Sequence, residues 1–262
     1  MDWSKTKTIF IAVFLVLDIF LLTMLFNNYN ESQMTVVKEE PIENKLKTYN
    51  IKYGELPDDA GEKPIITAKT KTFSKKDLEE YPDQDMKLER EKTVIDSTLT
   101  EPVKLGEKKV EGIKAFVQSR VNYGSKYQYS NMNEKKTKAI FYQQHNDKKL
   151  FENKSGKLEI KLNSEGDIIG YEQTLLEDIE ENSQKEEVLP AFQAIQTLYK
   201  NGLIKPNSTI SKVELGYYTV VQLTESQVLS PTWYIRIKKG DKVEKLYVNA
   251  FDGSIYQEEK DS

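Results

Sequence analysis

The sequence predicts an α+β fold: one N-terminal transmembrane helix, then an extracytoplasmic domain of mostly antiparallel sheet with a few packed helices. Three observations predict it. Residues 9–26, IFIAVFLVLDIFLLTMLF, hold 14 Leu, Ile, Phe or Val side chains and a single charge. Several later runs alternate apolar and polar residues between turn signals, the period of half-buried strands. Two further runs, at 107–121 and 187–201, repeat apolar residues every three or four positions, the period of a helix packed on one face.

The first segment is taken first. Eighteen helical residues reach about 27 Å, close to the hydrocarbon thickness of a bilayer. The 14 apolar side chains contribute roughly −4 to −8 kcal/mol to insertion, against about +2.5 to +3.5 for Asp18 near the centre. Insertion wins with the acid in place. Lys5 and Lys7 precede the segment, and the next basic residue is Lys38. Basic flanks stay inside, so residues 1–8 are expected in the cytoplasm and the long remainder outside the cell membrane. Trp3 and Tyr29 stand where interfacial aromatics stand. A cleaved signal peptide has a core of about 7–15 residues and a small-residue cleavage site. This core is longer, and Phe26-Asn27-Asn28-Tyr29 offers no such site, which points to an uncleaved anchor. With no cysteine, a lipoprotein anchor is excluded.

An acid inside a membrane helix tends to find a polar partner on another helix. Spacings of three, four and seven place Phe14, Leu15, Leu21, Leu22 and Leu25 on the face of Asp18. That face is the expected helix contact, with Lys5 and Lys7 setting topology. No small-xxx-small pattern is present, so very close helix packing is not expected. The alternative is an acid hydrated or protonated without a partner.

Residues 27–40 are polar and read as a juxtamembrane stalk. The extracytoplasmic domain spans 41–262 and divides into lobes of about 41–150 and 151–262. Pro41 suits the first turn of a short helix through Tyr49, with Ile42 and Leu46 on one face. Ile65 to Phe73 reads as a strand. Ser74 caps a short helix from Lys75 to Tyr81, with Asp77 completing a capping box and Pro82 ending it. Glu107 to Val121 is a helix with Val110, Ile113, Phe116, Val117 and Val121 inward. Tyr123–Tyr129 and Ala139–Gln144 read as strands on their Tyr and Phe content.

From Lys157 the pattern sharpens. KLEIKL, the turn NSEGD and the returning IIGYEQTLL make a β-hairpin. Glu187 to Asn201 is a helix with Val188, Phe192, Ile195, Leu198 and Tyr199 on one side. Pro190 falls in its first turn and Gly202 closes it. Strands then follow at 211–221, 231–239, 245–251 and 254–257. The hairpins LEIKLNSEGDIIGYEQ and WYIRIKKGDKVEKLYVNA share alternation and a Gly-Asp turn. Duplication would produce that likeness, and so would the general form of antiparallel hairpins.

Composition bounds the chemistry. The chain is 38% hydrophobic and 31% charged, with a net charge of −4, so the exterior part is an ordered domain rather than a tail. Charges of both signs are interspersed, which excludes a nucleic-acid surface. His145 is the one histidine, so no multi-histidine metal site exists, and in QQHNDKK it reads as an exposed loop residue. There is no GxSxG, Walker A or GxGxxG. Asp83 and Asp85 begin like a calcium loop but lack its Gly and terminal Glu. EDIEENSQKEE, Glu177 to Glu187, reads as a solvated linker into a helix. Asn153-Lys-Ser155 and Asn207-Ser-Thr209 match the glycosylation triplet. No catalytic residue, cofactor or metal site is expected.

Two stretches carry a family likeness. MDWSKTKTIFIAVFLVLDIFLL resembles the opening of the YycI (WalI) family of low-GC Gram-positive bacteria. ELGYYTVVQL…SPTWYIRIKKGDKVEKLYVNAFDGSI resembles that family's closing strands, a hairpin type also seen in PepSY-like domains. The resemblance implies a fold similar to that of YycH domains. It also implies an accessory protein of the WalK–WalR (YycG–YycF) two-component system, associating with the sensor histidine kinase WalK (YycG) and with YycH (WalH). Membrane helices make contacts in that complex, which alters kinase activity and thereby cell-wall metabolism. Beside this stand an anchored cell-wall enzyme, for which the residues give no positive sign, and a ligand-binding or chaperone module merely anchored to the membrane.

Overall fold

The computed structural model describes residues 7, 13–24, 41–58, 61–78, 81–222 and 226–256. Residues 1–49 and 50–262 form two separate compact units. In the first, residues 13–24 are helical (α1) and exposed throughout. Helix α2, Ile42–Thr48, follows with Pro41 at its N-cap, Leu46 buried and Ile42 half-buried. The expected face of that short helix is therefore observed. The stalk at 27–40 lies outside the described residues.

The second unit is built on one sheet of 14 strands. In chain order these are β1 (Lys52–Tyr53), β2 (Gly61–Thr70), β3 (Gln84–Glu89), β4 (Val94–Val103), β5 (Tyr127–Met132), β6 (Lys138–His145) and β7 (Lys148–Phe151). They continue with β8 (Lys157–Leu162), β9 (Ile168–Gln173), β10 (Leu176–Val188), β11 (Thr209–Gln222), β12 (Ser226–Lys239), β13 (Lys242–Asn249) and β14 (Ile255–Tyr256). The spatial order is β10-β2-β12-β11-β7-β6-β8-β9-β4-β3. Strand β5 branches from β6, and β13 with β14 branches from β12. The pairs are antiparallel except β1 and β7 on β11.

One pattern occurs twice. Helix α3 (Lys109–Arg120) precedes the meander β5-β6-β8-β9, and helix α4 (Ala191–Lys200) precedes the meander β11-β12-β13-β14. In the first half, Ile113, Phe116 and Val117 of α3 pack with Phe141, Leu158, Ile160, Ile168 and Tyr171 of the sheet. In the second half, Ala194, Ile195 and Leu198 of α4 are buried, as are Leu215, Trp233, Ile235 and Val248 of the strands. Trp233 Nε1 donates to the Leu189 carbonyl at 2.8 Å, which satisfies the polar end of a fully buried ring. The two halves meet at β7, only four residues long, which pairs with β6 on one side and β11 on the other.

Several expectations need correction. The acidic run 177–187 is not a linker: it forms most of β10, an edge strand paired with β2. Helix α4 therefore starts at Ala191 rather than Glu187, and Val188 belongs to β10. Residues 84–103 hold a hairpin, β3–β4, whose strands the sequence does not predict. The helix after Ser74 is a single 3-10 turn, Lys75–Leu78. Asp77 Oδ2 accepts from the Ser74 backbone N–H at 2.7 Å, the acidic half of the expected box. Strand β5 begins at Tyr127, because Gly124–Lys126 form a 3-10 turn. His145 is not in a loop: it ends β6, half-buried, with Nε2 3.1 Å from Glu181 Oε1 of β10. The turn after it is Asn146-Asp147, both left-handed, the conformation of a two-residue hairpin turn.

Candidate functional site

Two regions bear on function. The first is α1. Phe14, Leu15, Asp18, Leu21 and Leu22 are helical and exposed, as is every residue of 13–24. Lys7 is helical and exposed; Leu25 and Lys5 lie outside the described residues. The described helix of 12 residues spans about 18 Å. Among the described residues, no helix is long and apolar enough to cross a membrane.

The second region is a cleft of about 700 Å³ at the junction of the two halves. Its lining comes from β5 with the two residues after it, Tyr142 of β6, β7 with the residue after it, and β11, β12 and β13. Alternation assigns the cleft face. The register pairs Lys212 with Arg236 and Arg236 with Lys245. The next row on the same face pairs Glu214 with Tyr234 and Tyr234 with Tyr247. The opposite face carries Trp233, Ile235 and Ile237, all buried. A strand that is buried on one side and lines a cleft on the other needs this split.

Strand β7 supplies the centre. Phe151 lies 5.3 Å from the Tyr234 ring and 5.9 Å from the Tyr247 ring, and those two rings are 5.5 Å apart. Tyr218 extends the aromatic set, 5.1 Å from Tyr247 and stacked 4.9 Å from Tyr256. Gly216 on β11 lets β7 come this near. A side chain there would stand 2.4 Å from Phe151 and 2.5 Å from the Lys149 carbonyl oxygen.

Two ion clusters flank the rings. Glu152, left-handed at φ 47°, accepts from Lys245 Nζ at 3.0 Å and from the Tyr247 hydroxyl at 2.9 Å. The Tyr142 hydroxyl donates to its other oxygen. Burial pushes the Glu152 carboxyl up, but Lys245 and the two phenols outweigh it and hold it below its ordinary value. Burial and the Glu152 charge drive the Tyr247 phenol far above its own. In the second cluster, Lys149 is nearly inaccessible and lies 3.2 Å from Glu214, which also pairs with Lys212. Burial pulls the Lys149 ammonium below its ordinary value, against the opposing pull of Glu214. On β5, Gln128 Oε1 and Asn131 Oδ1 are buried acceptors with no donor among the described residues.

None of these cleft residues was singled out in the sequence as a site. Lys149 ends the run QQHNDKK, which reads as polar loop, and Glu152 lies three residues beyond it, although Asn-Asp before Lys-Lys-Leu-Phe carries a hairpin signal. Arg236 stands in the run 231–239 that reads as a strand, and only the register brings it beside Lys212 and Lys245.

The family model described as YycI protein matches residues 29–251. No curated protein matches. Among solved structures, the chain is similar to an uncharacterized protein from Eubacterium rectale at 8% identity. That match covers 79% of this chain and 89% of the other, with a TM-score of 0.44. It is similar to the Bacillus megaterium YpeB C-terminal domain at 9% identity, covering 84% and 95%, with a TM-score of 0.41. It is also similar to YycH from Bacillus subtilis at 15% identity, covering 80% of this chain and 61% of YycH, with a TM-score of 0.42.

Proposed function

The chain belongs to the YycI family, and from that premise we propose that it is a single-pass membrane accessory protein that regulates the sensor histidine kinase WalK (YycG), acting with YycH. The family match over 29–251 carries this reading. The hydropathy of residues 9–26 adds the membrane. Residues 1–8 stay in the cytoplasm and residues 41–262 lie outside the cell. In this reading the protein acts by contact with neighbours, in the bilayer and outside it. It is not an enzyme in this reading.

Asp18 gives the contact a mechanism. A carboxyl in the bilayer centre gains most from a polar group on another helix, and Phe14, Leu15, Leu21, Leu22 and Leu25 supply apolar surface around it. Replacing it with leucine keeps insertion and removes the polar element. Asp18→Leu is expected to weaken copurification with the kinase and to shift kinase-dependent transcription. Unchanged copurification together with unchanged output would refute the role of Asp18.

A second reading draws on the cleft: the exterior part is a ligand-binding module for which the helix is only an anchor. A concave, aromatic-lined site with converging charges is the form a ligand pocket takes.

A further inference from the structure

Three cations stand in one row across three neighbouring strands. Lys212, Arg236 and Lys245 are direct register partners on β11, β12 and β13 and share the cleft face. Like charges directly opposite one another destabilise a sheet. Two of the three are compensated: Lys212 by Glu214, and Lys245 by Glu152 at 3.0 Å. The middle one is not. Arg236 is half-buried, and among the described residues no carboxylate lies within ion-pairing distance of its guanidinium. The carboxylates nearest in register are already engaged by Lys149, Lys212, Lys245, Tyr142 and Tyr247.

We propose that the cleft is an oxyanion-binding site anchored by Arg236. Its ligand is a singly charged carboxylate or phosphodiester carried on a ring or short chain. The planar fork of Arg236 fits both groups in a bidentate manner. Lys149 and Lys212 share Glu214, which leaves Arg236 as the cation of the lining with no carboxylate beside it among the described residues, and a monoanion is the group that meets it. The inner lining of Lys149, Lys212, Arg236 and Lys245 against Glu152 and Glu214 is net positive. Glu134 and Glu244, exposed at the rim, bring the whole lining to neutrality and disfavour a polyanion. The rings of Phe151, Tyr234 and Tyr247 provide a face for the body of the ligand. A volume of about 700 Å³ suits a molecule of that size. The cation row then has a physical reason: an uncompensated positive charge is held at some cost to the fold because an external anion completes it. This site is independent of the regulatory reading, since it rests on the cleft alone.

The test uses the full chain in detergent micelles and ligand-detected saturation-transfer NMR. The probes are N-acetyltyrosine and glycerophosphoglycerol, each with its neutral counterpart, N-acetyltyrosinamide and glycerol. At least one anion is expected to bind saturably while its counterpart does not, and the better anion identifies the source chemistry. Arg236→Gln is expected to weaken that binding at least tenfold, and Arg236→Lys to give an intermediate loss. Removing the central charge should leave the melting temperature unchanged or raise it. Three results would overturn the site: no saturable binding of either anion, equal binding of the neutral counterparts, or unchanged affinity in Arg236→Gln. A marked drop in melting temperature for both Arg236 variants would also overturn it, because Arg236 would then be a structural residue.

Discussion

Glu152 shows how a single residue ties the two halves together. It follows β7 in a left-handed conformation that costs a non-glycine residue energy. In return its carboxylate takes donors from β6 and β13, that is, Tyr142, Lys245 and Tyr247. Its carboxyl is held below the ordinary value of 4.5. A depressed acid stabilises the fold above its unfolded pKa, and that stability is lost as pH falls through the folded value. Thermal unfolding of wild type and Glu152→Gln should therefore differ most near neutral pH, with the wild type higher. The gap should close as pH falls below about 4.5. A gap that stays constant down to pH 3 would refute the pairing as the source of stability. Single residues also dispose of a motif. Asn153 of the first glycosylation triplet is buried, its amide donating to Thr219 at 2.7 Å and Gln227 at 2.6 Å, so it is closed to modification in the folded chain. The triplet in the sequence reports composition only; burial decides its use.

At the scale of elements, β7 is the weak and decisive link. Its two register pairs with β11 depend on Gly216, where a Cβ would collide with backbone and ring together. Gly216→Ala should force the strands apart and cost about 3 kcal/mol, the upper range for overpacking. Chemical denaturation would measure it, and a loss under 1 kcal/mol would show that the junction can yield. Element legibility follows from burial. The β8–β9 hairpin was readable because Leu158, Ile160 and Leu162 alternate against a polar face, with a glycine in the turn. Helices α3 and α4 were readable because each buries one stripe. Strand β10 was not, because it is an edge whose middle is exposed on both faces. Charges there guard against edge-to-edge pairing and erase the alternation a reader looks for. Hairpin β3–β4 was hidden by its turn: Arg90, Glu91 and Lys92 are all left-handed without glycine or asparagine. The cleft was hidden for a different reason, since sequence shows which residues alternate but not which strands become neighbours.

At the scale of the whole molecule, the proposed regulatory role has two candidate carriers, the N-terminal segment and the cleft. The unit of residues 50–262 repeats one plan, helix then meander, and places its cleft where the two repeats join. The N-terminal segment offers an acid on an apolar face. These are separable devices, and exchanging one while keeping the other separates them. Residues 9–26 replaced by an unrelated apolar helix of equal length should still insert, since the hydropathy sum needs no particular sequence. If the segment is a contact surface, the exchanged protein stays in the membrane but loses the kinase on copurification, and its transcriptional output follows Asp18→Leu. If the segment is only an anchor, association and output survive the exchange, and Arg236→Gln becomes the variant that impairs them. The first outcome is expected, because a carboxyl that opposes insertion by about 3 kcal/mol is a poor choice for a plain anchor. Survival of both association and output would refute the helix-contact mechanism and leave the exterior unit as the acting part.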